Sequence, residues 1–224
     1  MQPVTFIRTQ ELIPGVWQSF FKPDNALDYQ AGQYCEFIFD NVPNDTRGPA
    51  RTFTLTSMPT DECLSIVYRA VEPMSAYKQQ LLTLKTGARL HIGEILGDLV
   101  LPKLTSVPLV FAASGIGMAS FVAMLRVLES QAQDREIHLF YRLRHVGDDA
   151  FRTLTSRFPF ASIQTFVAPK TLHAQDIVTA LPNNALIYLS GSERFTLKLR
   201  DELRELNVNP SRIVYDYYDG YADL

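Results

Sequence analysis

The run Phe111-Ala112-Ala113-Ser114-Gly115-Ile116-Gly117-Met118-Ala119-Ser120-Phe121 ends an apolar segment in closely spaced glycines and reopens as a helical pattern. Glycines at 115 and 117 let an anion approach the backbone N–H groups, and a helix opening there adds its positive end. That is phosphate chemistry, in the strand-then-helix context a dinucleotide site requires. Ser120 stands where Gly-x-Gly-x-x-Gly has its third glycine, so a tight strand-to-helix turn also accounts for the run. A second apolar run, Ile137 to Tyr141, leads into Arg142-Leu143-Arg144, which places two arginines at the end of that strand. Sites that take an unphosphorylated ribose commonly place an acid at such a strand end; two guanidiniums lean towards phosphate. The segment Arg51-Thr52-Phe53-Thr54-Leu55-Thr56-Ser57 alternates, with Arg51, Phe53 and Leu55 on one face and the three threonines on the other. Spacing alone makes it an ordinary half-buried strand.

Other chemistries are poorly supplied. Cys35 and Cys63 have no metal-ligand spacing and read as small apolar residues in a reducing compartment. Two cysteines cannot furnish the four thiolates of an iron–sulfur cluster. His91, His138, His145 and His173 are dispersed, and no nucleophile–base pair suggests hydrolysis. A net charge of −3 gives no electrostatic case for nucleic acid. No segment approaches the ~20 apolar residues of a membrane helix, and Met1 to Arg8 lacks the pattern of a leader, so a cytoplasmic protein without membrane insertion is expected.

The elements that must position these residues fall into two rhythms. Val4–Arg8, Val16–Lys22, Tyr34–Phe39, Arg51–Thr56, Leu64–Arg69 and Arg89–Gly93 read as short strands between turn-forming clusters, with a helix over Ser75 to Lys85 capped by Ser75. This predicts an antiparallel β-barrel. From Leu109 onward, apolar strands Leu109–Ala113, Ile137–Tyr141, Ile163–Val167, Ala185–Leu189 and Ile213–Tyr215 alternate with helical patterns at 118–131, 149–158, 174–180 and 193–206, which predicts a doubly wound parallel sheet. The division is placed as residues 1–103 and 104–224, with a ligand cleft between the two.

Taken in order, Gly32-Gln33-Tyr34, Arg51 to Ser57, Leu64 to Arg69, Ser75, Gly97 to Pro102, Ser114 to Gly117 and Ser190-Gly191-Ser192 resemble the ferredoxin–NADP reductase family across nearly the whole chain. The resemblance implies an FAD-binding barrel (FMN being the lesser choice) followed by an NAD(P)-binding domain. It implies that Arg51, Thr52, Phe53, Thr54, Tyr68, Arg69 and Ser75 hold the flavin. Arg51 would take a phosphate, Phe53 the ring face and Thr54 the hydride-accepting edge, while Ser75 opens the helix that faces the pyrophosphate. Gly115, Gly117, Arg144 and Gly191 would line the nucleotide site, although the family commonly reads a ribose phosphate one strand after Arg144, near Lys170. Ser190 would contact the nicotinamide in place of the family's cysteine. Asp216 and Tyr218, in a tail Asp216 to Tyr221 similar to the family's Glu-x-Phe-x-Gly-Tyr, would stand at the flavin. Thr54, Ser190, Asp216 and Tyr218 are the candidate catalytic residues. The implied activity is an NAD(P)H-dependent flavoprotein reductase that passes electrons to a separate ferredoxin, flavodoxin or oxygenase component. Departures at Ser114, Ala119, Arg142 and Ser192 keep open an alternative: a flavin-binding electron-transfer module without nucleotide turnover.

Overall fold

The computed structural model describes residues 1–132, 135–158, 161–180 and 184–218. Two sheets organise them. The first is antiparallel: β1 (Gln2–Ile13), β2 (Val16–Pro23), β3 (Tyr34–Ile38), β4 (Ala50–Thr54), β5 (Leu64–Arg69) and β6 (Arg89–Ile92), in the order β4-β3-β6-β1-β2-β5. An antiparallel bridge between Leu55 and Ile66 brings the two edges together and curls the sheet into a barrel. Phe6, Phe21, Phe37, Phe53 and Tyr68 fill it, and Phe37 and Phe53 lie edge-on at 5.9 Å between centroids.

Helix α1 (Ala76–Leu82) closes one end of the barrel by burying Tyr77 and Leu81. The Tyr77 hydroxyl donates to the Phe37 carbonyl at 2.8 Å. Ser75 caps the helix, as its sequence position implies, and accepts from the Lys78 N–H. The helix is shorter than the stretch 75–85 suggested, because Thr83 already leaves helical geometry. Strand β1 is longer than Val4–Arg8. Its polar second half pairs with β2, where Thr9 Oγ1 meets Ser19 Oγ at 2.9 Å, a partnership that hydrophobic patterning does not signal.

The second sheet is parallel: β7 (Leu109–Ser114), β8 (Ile137–Leu143), β9 (Ala161–Val167), β10 (Leu186–Ser192) and β11 (Ile213–Tyr218), in the order β11-β10-β7-β8-β9. Helix α2 (Ala119–Ser130) and the short α3 (Arg152–Thr155) cover one face, packed with Phe111, Leu139 and Tyr141. Helices α4 (Ala174–Thr179) and α5 (Glu193–Glu205) cover the other, with Val110, Ala112, Ile187 and Leu189. The alternating faces of β7 explain this two-sided burial. Helix α3 is a single turn rather than 149–158, because the Asp149 side chain accepts the Phe151 N–H and holds a turn there.

Strand order reverses between β7 and β10. At such a switch point the connections leave in opposite directions and open a crevice at the carboxyl ends of the strands. The barrel is packed against that side. Val16 and Val67 from its outer face belong to the same apolar cluster as α2, and Arg126 of α2 makes two hydrogen bonds to the Asp61 carboxylate, at 2.6 and 3.1 Å. Among the described residues no helix is long and apolar enough to cross a membrane.

Candidate functional site

Four hydroxyls from four elements meet where the barrel faces the switch point. Thr54 ends β4, and its Oγ1 lies 3.0 Å from the Tyr218 hydroxyl at the end of β11. The Tyr218 hydroxyl lies 2.9 Å from Ser120 Oγ in the first turn of α2. Ser120 Oγ lies 3.0 Å from Ser190 Oγ on β10. Thr54, Ser120 and Ser190 are buried, while Tyr218 is partly exposed, so three of the four are shielded from bulk water. Each hydroxyl can donate one hydrogen bond and accept others, so such a chain suits a neutral ring edge and introduces no fixed charge. Parallel register sets Asp216 of β11 opposite Ser190. Burial first, then the charges of Asp216 and Asp98, push the Tyr34 phenol above its ordinary range.

Three of the four residues expected to be catalytic, Thr54, Ser190 and Tyr218, are thus drawn into one network, with Asp216 in the adjoining register. Ser120 was missed. In the sequence it registers as a break in a glycine pattern, although a hydroxyl in the first turn of the helix at a switch point is itself a usable signal. The tail residues Asp219, Gly220 and Tyr221 lie outside the described residues.

The other flavin-side expectations fare differently. Phe53 points into the barrel, 5.9 Å from Tyr68 and 6.1 Å from Tyr77 between centroids, so its ring is not on the face that carries Thr54. From Phe53 to Ser57 every residue is buried, because the barrel interior covers one face of the strand and the second sheet's layer the other. Thr52 is exposed. Tyr68 also turns inward, where its hydroxyl meets Ser19 Oγ at 3.0 Å. Arg51 is committed within the chain. It pairs with Asp45, donates to the Gly48 carbonyl at 2.9 Å and to the Ala50 carbonyl at 2.6 Å, and lies over the Tyr77 ring.

On the nucleotide side, Gly115 adopts φ +53 and opens a short 3-10 turn, steadied by the Tyr141 hydroxyl donating to the Gly115 carbonyl at 3.0 Å. A Cβ on Gly117 would overlap the Ser190 carbonyl and sit 2.6 Å from the Gly191 Cα. One on Gly191 would sit 3.1 Å from the Ser114 Cβ. These glycines therefore let the turn after β7 approach β10, whatever else they do. Arg69, at the end of β5, lines a cavity of about 100 Å³ with Ile13, Val16, Ser114, Gly115 and Arg142. Its Nε is buried without a hydrogen-bond partner among the described residues. An unpaired buried donor of this kind is costly and calls for an acceptor.

A larger cavity of about 540 Å³ opens beside it, lined by Arg142, Arg144, Ser192, Arg194, Lys198 and Glu202 among others. Its size falls within the ~300–1,000 Å³ typical of small-molecule sites. Glu202 is already engaged by the Ala174 N–H at 3.0 Å and by Lys198 at 3.5 Å. Burial pushes its carboxyl up, but that bond together with His173 and Lys198 leaves it below the usual range. Lys170 lies instead over the Phe166 ring at 4.6 Å.

No family model matches the chain. It is 27% identical over 172 residues to the phenol hydroxylase P5 protein of Acinetobacter pittii, covering 74% of this chain and 47% of that protein. It is 25% identical over 213 residues to the toluate 1,2-dioxygenase electron transfer component of Pseudomonas putida, covering 88% of this chain and 61% of that one. The chain therefore spans about half to three-fifths of the length of these relatives. Among solved structures it superposes on the FAD/NAD-binding domain of a nitric oxide dioxygenase from Vibrio cholerae with a TM-score of 0.83, at 20% identity, covering 97% of this chain and 98% of that one. A ferredoxin–NADP+ reductase from Plasmodium falciparum gives 0.79 at 16% identity, covering 97% and 96%. The fold is that of ferredoxin–NADP reductase-like flavin and nucleotide-binding domains.

Proposed function

We propose that the chain is the NAD(P)H-oxidising module of a flavin-dependent reductase, taking a hydride from the nicotinamide onto a flavin and passing electrons to a separate ferredoxin, flavodoxin or oxygenase component. The observation that carries this reading is the hydroxyl chain Thr54–Tyr218–Ser120–Ser190, which joins the barrel to the carboxyl ends of the parallel sheet at its switch point. One relative is named as the electron transfer component of a dioxygenase and another as a protein of a phenol hydroxylase, which supports the same class of reaction.

The residues fit the ring end of a flavin. The donor set is neutral, and Tyr34 and Tyr218 supply partly exposed aromatic faces beside it. They do not fit the phosphate end as expected, because Arg51 is paired with Asp45. When bound, the flavin supplies hydride acceptance and one-electron release, chemistry that side chains lack. The chain's own part is position and dielectric. Thr54 orients the ring edge by hydrogen bonding. Tyr218, held by Ser120, covers that edge and keeps water from it. Ser190, wholly buried, fixes the other end of the network rather than touching the nicotinamide as the resemblance implied. Arg69, Arg142 and the Ser114–Gly117 turn hold the dinucleotide phosphates. The family resemblance by itself would favour FAD, with FMN second. A cytoplasmic setting suits the two free cysteines.

Purified chain reconstituted with flavin should bleach on anaerobic addition of NADH or NADPH. Thr54→Val should slow that bleaching about tenfold, as loss of a ~1.4 kcal/mol transition-state contact would, while the flavin stays bound. Protein that takes up no flavin, or a bound flavin that neither nucleotide bleaches, would reject the reading.

A further inference from the structure

The guanidinium expected to grip a flavin phosphate already holds an anion, and that anion belongs to the chain. Asp45 lies in the loop between β3 and β4. One carboxylate oxygen accepts from Arg51 and from the Arg47 N–H at 3.0 Å; the other accepts the Tyr77 N–H at 2.9 Å, in the first turn of α1. Its side chain is 3% exposed and that of Arg51 10%. A guanidinium and two backbone N–H groups around buried oxygens are the contacts a phosphoryl group would receive. The remaining contacts of Arg51 go from Nη1 to the carbonyls of Arg47, Gly48 and Ala50 and from the guanidinium to the Tyr77 ring, so its Nη1 side is taken up within the loop. A phosphate brought beside Asp45 would also meet a like charge. The loop is built for this arrangement. Asn44 and Gly48 adopt φ +63 and +76, and the Gly48 N–H closes onto the Asp45 carbonyl at 3.1 Å.

We propose that Asp45 stands in the place of the flavin phosphate, so that the chain holds a flavin through its ring alone and does not discriminate among riboflavin, FMN and FAD. This rests on the flavin reading above and changes what that site recognises. The phosphate-bearing tail lies outside the grip of the barrel, and the bound flavin exchanges with solution.

The test is equilibrium titration of flavin fluorescence with riboflavin, FMN and FAD on the full chain. The three dissociation constants are expected to agree within threefold, and Arg51→Gln should leave their ratio unchanged. Asp45→Asn keeps an oxygen for the Tyr77 N–H but removes the charge, and should tighten FMN and FAD at least fivefold relative to riboflavin. A preference for FAD over riboflavin above threefold in the parent chain overturns the proposal and leaves the flavin reading standing. An unchanged ratio in folded Asp45→Asn overturns it as well. If that variant fails to fold, the parent series and Arg51→Gln decide. No measurable binding of any flavin overturns both the proposal and the reading.

Discussion

Asp45 carries its charge where water scarcely reaches, and that has a consequence for stability apart from any ligand. The Tyr77 N–H, acting against burial and helped by the Arg47 N–H and the Arg51 guanidinium, holds its carboxyl below the usual carboxylate range. A carboxylate whose folded pKa is depressed stabilises the fold above its unfolded value of ~3.9 and loses that contribution as pH falls through the lower folded value. Urea unfolding of the parent chain should therefore lose stability below about pH 4. Asp45→Asn should be less stable at neutral pH and show a shallower decline on acidification. Parallel acid profiles for the two proteins would refute this. The same residue scale shows why Ser120 matters: one hydroxyl holds Tyr218 over Thr54 and also touches Ser190.

At the scale of elements, the carboxyl end of β8 and the first turns of α5 form one electrostatic unit. Arg142 and Arg144 come from the strand and Arg194 and Lys198 from the helix, against Glu202 as the one acid among the described lining residues. In a chain of net charge −3, this concentrates positive potential on one mouth of the sheet. A phosphorylated ribose is therefore expected to bind here more tightly than an unphosphorylated one. Calorimetry should find 2′,5′-ADP binding at least tenfold tighter than 5′-ADP at low salt, since a charge-assisted hydrogen bond contributes ~1.5–3 kcal/mol. The double variant Arg194→Gln, Lys198→Gln should lose most of that difference, and added salt should weaken it. Equal affinities would show that the cavity does not read a second phosphate.

At the scale of the molecule, barrel and parallel sheet share apolar surface rather than a bare hinge. Val16, Ala31, Val67 and Leu99 pack in one cluster with α2, and the Tyr188 hydroxyl donates to the Val100 carbonyl at 2.8 Å. Gly32 sits at the tightest point, at φ +101, where a Cβ would overlap the Leu99 carbonyl and lie 3.1 Å from the Met124 sulfur. Gly32→Ala should cost about 2 kcal/mol or more, combining backbone strain with overpacking, and lower the melting temperature by several degrees. Because the cleft is built from both layers, the same change should weaken flavin binding. A melting temperature within a degree of the parent would show that the two layers are not locked at this point.

Much of this was legible before any coordinates. Period-two strands followed by strand–helix alternation specify an antiparallel barrel and then a parallel sheet, because burial on one face or two leaves its period in the chain. All eleven described strands overlap an expected one, while Thr54, Ser190 and Tyr218 are pointed to by the family resemblance alone. What the chain could not disclose is which groups satisfy one another. Phe53 and Arg51 share a face of β4, yet whether that face holds a cofactor or the protein's own side chains depends on partners remote in sequence: Tyr68 and Tyr77 for the ring, Tyr77 for the carboxylate of Asp45. Likewise Ser120 and Ser190 are brought within hydrogen-bond distance, and Arg194 beside Arg144, only by closure of the sheet. Periodicity is local and survives in one dimension; pairing of polar groups is settled by the packing of the whole fold.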